Sequence, residues 1–171
     1  MKPFITDALE NGRHMLRMQF EGMERSELKD LFLRKCIVAY ALPKGHTLET
    51  AWQFQICFDS GDVFEFSSAC TEVQDWQEIG SLNINKINGI ANENIFEKFN
   101  VESFCISNVE VLVYEDVNVF AECGIVLIGS PGSEVIVAAS VSPGSVSVQA
   151  PFSTLPFQPE FSVNDYQRRA I

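Results

Sequence analysis

Trp52, Phe54, Ile56 and Phe58 alternate with Gln53, Gln55, Cys57 and Asp59, the two-residue period of a strand that buries one face. Asp59-Ser60-Gly61-Asp62 then supplies turn formers around a glycine able to take positive φ, and Val63-Phe64-Glu65-Phe66 resumes the extended pattern. The stretch 52–66 therefore predicts a β-hairpin. Further along, Val109, Val111 and Val113 alternate with Glu110, Leu112 and Tyr114, and Val117, Val119 and Ala121 alternate with Asn118, Phe120 and Glu122. These read as two more strands, one of them packed on both faces. Gly124 to Ala139 holds two β-branched runs around a turn at Gly129 to Ser133, a second hairpin, and Val146-Ser147-Val148 follows the Pro143-Gly144 break as a short strand.

Upstream, Arg13 to Phe20 and Leu31 to Leu42 also read as extended, the latter ended by Pro43. Helix is scarce. Ser26 to Phe32 predicts a short N-capped helix, and Asn92 to Phe99 offers Ile95, Phe96 and Phe99 at helical spacing. Strands punctuated by Gly, Pro, Ser or Asn, with no room for long crossovers, predict an α+β fold: predominantly antiparallel β-sheet, as a curled sheet or a small sandwich, with one or two short helices. No repeat or linker-like stretch divides the 171 residues, so a single domain over 1–171 is expected. Ala150 to Pro159 reads as an ordered, extended tail, with Phe161 and Tyr166 pinning the C-terminus to the sheet.

Composition adds a Phe-rich core, since hydrophobic residues make up 46% of the chain and fourteen of its residues are Phe. The first residues lack the uninterrupted apolar run of a secretory signal, and no stretch approaches the roughly 20 apolar residues that span a bilayer. A soluble, cytoplasmic protein is expected. Cys36, Cys57, Cys70, Cys105 and Cys123 are odd in number, widely spaced and set in apolar surroundings, which suits reduced, buried thiols rather than a disulfide framework.

The inventory for chemistry is thin. His14 and His46 are the only histidines, and neither has a Cys or carboxylate beside it at metal-ligand spacing. No cysteine lies in a glycine-rich or helix-opening context that would lower its pKa. The glycines around Gly129 to Ser133 lack the lysine and helix of a phosphate cradle and read as a hairpin turn. Asp59 with Asp62, and Glu115 with Asp116, read as solvated turn acids. No catalytic residue, metal site or cofactor is expected, and the chain does not read as an enzyme.

Charge is the informative feature. Twelve Lys and Arg against twenty-three Asp and Glu leave −11, a sign that disfavours nucleic acid and anionic membrane surfaces as partners. The charge is also unevenly spread. Residues 1–44 carry eight basic and six acidic side chains, residues 168–171 add Arg168 and Arg169, and residues 45–167 hold seventeen acids against Lys86 and Lys98 alone, −15. A negative face is expected, contributed by Glu72, Asp75, Glu78, Glu110, Glu115, Asp116 and Glu122, with Trp76 and Tyr114 as aromatic anchors and Trp76 exposed. Such a face speeds association with a basic protein.

The residues Phe58 to Phe66, Asp75-Trp76 with Ile79 to Leu82, Gly124 to Leu127 with Glu134 to Val137, Ser142-Pro143, and the tail Pro159 to Tyr166 together resemble small β-rich immunity proteins of bacterial polymorphic-toxin and contact-dependent growth-inhibition systems. The resemblance covers about 52–166 and rests on turn and strand patterns. It implies a cytoplasmic, non-enzymatic protein that binds and neutralises the toxic C-terminal domain of a cognate effector, commonly a nuclease. A nuclease surface is basic because it holds phosphate, so an acidic partner suits it. The alternative is a small-ligand-binding protein or enzyme with a pocket in a curled sheet, lined by Phe and Trp.

Overall fold

The alternating stretches become the strands of two sheets in the computed structural model, which describes residues 7–8, 11–90, 92–130 and 132–171. The strands are β1 (Asp7–Ala8), β2 (His14–Leu16), β3 (Gln19–Glu21), β4 (Cys36–Pro43), β5 (Phe54–Phe58), β6 (Val63–Glu72), β7 (Glu78–Ile87), β8 (Phe96–Cys105), β9 (Asn108–Glu115), β10 (Val119–Ile128), β11 (Glu134–Ala139), β12 (Val146–Gln149) and β13 (Gln167–Ala170); helix α1 spans Leu28–Phe32. The segment 1–6, read above for an export signal, and Pro131 of the second predicted turn lie outside the described residues.

One sheet runs β3-β7-β6-β5-β4-β8, antiparallel throughout except for the β3–β7 pair. The other is built around β10. One edge of β10 pairs β9, which pairs β13; the opposite edge is shared by β2, in parallel along Val119–Ala121, and by β11, antiparallel along Gly124–Ile128. The fold is therefore β-rich and mostly antiparallel with one short helix, as the strand patterning predicts.

The two sheets share one buried cluster. Phe54, Phe64, Phe66, Leu82 and Ile84 come from the first sheet, and Val111, Ile125, Leu127, Val135 and Val137 from the second. Each fully buried side chain of this kind contributes roughly 1.5–3 kcal/mol of transfer free energy. Helix α1 closes the cluster: Phe32 meets Phe64 and Phe58 edge-on, with ring centroids 4.6 and 5.5 Å apart. The turn before α1 is fixed where the Glu24 N–H donates to the Glu27 carboxylate at 2.8 Å.

The outer face of the β10 sheet is covered by the tail. Phe161 stacks on Tyr114 with centroids 3.7 Å apart, and its N–H donates to the Tyr166 hydroxyl at 3.0 Å. Phe157, Phe161 and Tyr166 complete a second apolar cluster with Leu112, Val126 and Ile136. Gly80 permits a close crossing beneath this layer, because a Cβ there would lie 2.6 Å from the Cβ of Ala139.

Four expectations are corrected. Residues 92–95 form a turn and Phe96 opens β8 rather than a helix, because β8 pairs with β4 along its length and Phe99 stacks on Tyr40 at 5.0 Å. The extended stretch from Leu31 begins only at Cys36, since Leu31 and Phe32 belong to α1. The strands read at 117–122 and 124–128 are one strand, β10, with a bulge between Glu122 and Gly124. Finally, Cys36 and Cys105 stand directly opposite each other on β4 and β8 and form a disulfide, while Cys57, Cys70 and Cys123 are free. A spacing of 69 residues hid that pairing in the sequence.

Candidate functional site

The β6–β7 hairpin consists of two ten-residue strands. Its register runs to Thr71↔Ile79 and Glu72↔Glu78, and the tip closes through a 3-10 turn over Gln74–Trp76, with the Val73 N–H donating to the Gln77 carbonyl at 2.8 Å. Val73 and Ile79 are drawn into the apolar cluster on the outer face of the β10 sheet. That anchor fixes the tip, and Glu72, Gln74, Gln77 and Glu78 around it are exposed.

Trp76 is 86% exposed and has φ of 63°. A bulky residue in the left-handed region costs about 1–3 kcal/mol, and here no buried contact offsets it. Glu72 and Glu78 are both exposed and directly opposed, a like-charge pairing that destabilises a ladder. Among the described residues neither carboxylate lies within ion-pair distance of a cation. Asp75 lies in the same turn. Below the tip, burial pushes the Cys70 thiol up to about 11, with Glu78 and Glu160 adding to the effect. Burial also raises the Glu160 carboxyl to about 7, against the Gly80 N–H that donates to it at 2.8 Å.

The remaining residues of the expected acidic face are engaged elsewhere. Glu115 is bridged by Arg13 and Arg169, whose hydrogen bonds and charges, Arg13 first, hold it below the usual carboxylate range. Glu110 lies 3.7 Å from Arg168, which also pairs with Glu134 at 2.6 Å. Asp116 caps its own turn by accepting the Asn118 and Val119 N–H groups at 2.7 and 2.9 Å. Tyr114 is occupied by Phe161. Glu122 is only 3% exposed, taking the Met18 N–H at 2.7 Å and both Nη groups of Arg25 at 2.7 and 2.6 Å.

The placement of Glu122 corrects the expectation of a surface acid, and the physical reason is that its strand turns it inward. Phe120 and Glu122 share a parity, and Phe120 belongs to the central core. The basic ends of the chain fold back on the acidic middle through Arg13, Arg25, Arg168 and Arg169. The guanidinium groups of Arg13, Arg17 and Arg169 gather over Phe120 at 5.9, 5.6 and 5.3 Å from its centroid. Of the residues expected on one face, the structure brings together Glu72, Asp75, Trp76 and Glu78 on one hairpin tip, while the rest are held in their own ion pairs, turn cap or stack. What the sequence did not reveal is that Glu72 and Glu78 are cross-strand neighbours, because β7 was not legible as a strand.

The histidines stay apart. His46 packs edge-on against Trp52 at 4.8 Å, and His14 lies in β2. Burial raises the thiol pKa values of Cys57 and Cys123, which is the opposite of nucleophile activation. Among the described residues, no group of three His, Cys, Asp or Glu side chains is placed to hold a metal ion, and no helix is long and apolar enough to cross a membrane. Comparisons with protein-family models, with curated proteins and with solved structures found no match.

Proposed function

We propose that this chain is a non-enzymatic binding protein that docks a basic protein partner on the tip of the β6–β7 hairpin. The observation that carries the reading is the exposed, left-handed Trp76 beside the unpaired Glu72 and Glu78. Strain and like-charge opposition at a solvent-facing tip weaken the free protein, and both are offset if a cationic surface seats the indole and neutralises the carboxylates. The close-packed interior supports the same reading, since Phe54, Phe64 and Phe66 are fully buried and fill the space that an apolar ligand pocket within the sheet would need.

In its specific form the proposal is an immunity protein, and the partner is the basic toxic domain of a cognate effector, neutralised by stoichiometric contact. The test is co-expression and co-purification with the product of the adjacent gene. The wild type should hold that protein in a one-to-one complex and protect cells from its toxicity, and Trp76→Ala should lose both. A neighbour that does not bind, or one bound equally by Trp76→Ala, would overturn the proposal.

A further inference from the structure

Between Phe157 and Val163 the tail borders an open groove. The Ser140↔Pro159 bridge lays this segment beside the end of β11, with the Val141 N–H donating to the Gln158 carbonyl at 3.1 Å and the Glu160 N–H to the Ala139 carbonyl at 2.9 Å. The groove measures about 380 Å³, and its lining includes Val141, Pro159, Glu160, Ser162 and Val163. Val141 and Val163 are 57% and 52% exposed, so the walls offer apolar side chains to solvent.

Glu160 is the charged group of the groove. It is half-buried, and among the described residues the one hydrogen bond to its carboxylate comes from the Gly80 N–H, which donates to Oε2 at 2.8 Å. The titratable groups that act on it are Glu78 on β7, Cys70 on β6, Cys123 on β10 and Tyr166 in the tail, and Asp165 shares a turn with Val163. None of these is a cation. No Lys or Arg lines the groove, and among the described residues none lies within ion-pair distance of Glu160. Drawing a carboxylate out of water without a compensating charge is unfavourable, which is why burial lifts Glu160 to about 7.

We infer that this groove receives a lysine or arginine side chain of a basic partner, its aliphatic stem against Val141 and Val163 and its cationic head on Glu160. The inference deepens the reading of the β6–β7 tip as a docking surface and rests on it for the partner's charge. Groove and tip adjoin, since Gly80, which holds Glu160, is two residues beyond Glu78 on β7. A long basic side chain buries an apolar stem while its head stays polar, so it matches both halves of the groove. An anion would meet Glu160, Glu78 and Asp165, and an apolar group would cover the carboxylate and leave it unpaired. A metal ion would lack ligands, because among the described residues no three His, Cys, Asp or Glu are placed to hold one. Pairing with a cation favours the ionised form of Glu160, so binding releases a proton and tightens as pH rises toward about 7.

The experiment titrates the full chain with the capped tripeptides Gly-Lys-Gly and Gly-Arg-Gly at constant ionic strength, followed by amide proton–nitrogen correlation spectra. Peptides with norleucine or citrulline in place of the basic residue supply the stem without the charge. At least one cationic peptide should shift the amides of Gly80, Val141 and 160–163, bind about tenfold more tightly near pH 8 than near pH 6, and exceed both neutral peptides. Glu160→Gln keeps an acceptor for the Gly80 N–H and should weaken binding about tenfold with loss of the pH dependence. Val163→Ser, at an exposed position, should also weaken it. The inference is overturned if neither cationic peptide shifts these amides, if a neutral peptide binds as tightly, if affinity is the same at both pH values, or if Glu160→Gln and Val163→Ser bind like the wild type. Trp76→Ala should bind the peptides like the wild type, so failure here and failure of docking at the tip are distinguishable.

Discussion

Glu122 and Arg25 form a two-pronged pair, both guanidinium nitrogens donating to one buried carboxylate at 2.7 and 2.6 Å. The hydrogen bonds and charge of Glu122 raise the Arg25 pKa above its ordinary value despite partial burial. Removing Arg25, which is itself half-exposed, leaves the buried Glu122 carboxylate without its charged donors, which costs about 1–3 kcal/mol. Arg25→Met should therefore destabilise by about that amount in denaturant titration. The double variant Arg25→Met with Glu122→Leu should recover a large part of the loss, less the Met18 N–H that Glu122 also accepts.

The disulfide is open to a direct check. Closing a loop between Cys36 and Cys105, 69 residues apart in sequence, lowers the unfolded-state entropy enough to stabilise by about 4 kcal/mol. Reductant should lower Tm, and Cys36→Ser with Cys105→Ser should reproduce that Tm without reductant. Alkylation of denatured, unreduced protein should label Cys57, Cys70 and Cys123 and spare the other two. Because such bridges persist in oxidising compartments, alkylation of freshly lysed cells also reads out where the protein resides.

Glu160 sets a pH dependence. Burial lifts its pKa from 4.5 to about 7, and Glu78 adds to the rise. Between those values the folded chain binds a proton that the unfolded chain has released, so stability is greatest toward the acid end of the window. It declines as pH rises through about 7 and is level above that. For a group partly open to solvent the decline is on the order of 2 kcal/mol. Glu134 acts in the opposite sense: Arg168 holds its pKa down, and its contribution is lost on acidification. Glu160→Gln keeps an acceptor for the Gly80 N–H, and its Tm should be flat where the wild type declines.

Much of this architecture was legible. The hairpin at 52–66, the strands around Val109 to Val113 and Val135 to Ala139, and the tail held by Phe161 and Tyr166 follow from alternation and aromatic placement. Strand β7 was not, because its outward row carries Asn83 and Asn85, residues depleted from strands; pairing on both sides overrides that preference. Nor was the fate of Glu122, since inward parity is visible in sequence only relative to Phe120, and its partner Arg25 lies 97 residues away. The charge count of −15 over 45–167 described the sequence well and the surface poorly. The terminal arginines return to the acidic middle, and among the described residues Glu72 and Glu78 at the hairpin tip have no cation within ion-pair distance.

Trp76 should separate stability from binding. Replacing it with glycine relieves a left-handed φ of 63° and gives up no buried contact, because the side chain is 86% exposed. Trp76→Gly should hold or raise stability by about 1 kcal/mol, the usual scale of such a relief, and should lose partner binding. A fall in Tm for this variant would show that the indole supports the fold rather than a partner.

The most direct test is the association rate of the chain with its basic partner, measured against ionic strength for the wild type, for Trp76→Ala, and for Glu72→Gln with Glu78→Gln. The wild-type rate should fall steeply with salt, the double glutamine variant should associate more slowly with a shallower slope, and Trp76→Ala should dissociate faster. An on-rate independent of salt, with dissociation indifferent to Trp76, would contradict docking at the β6–β7 tip.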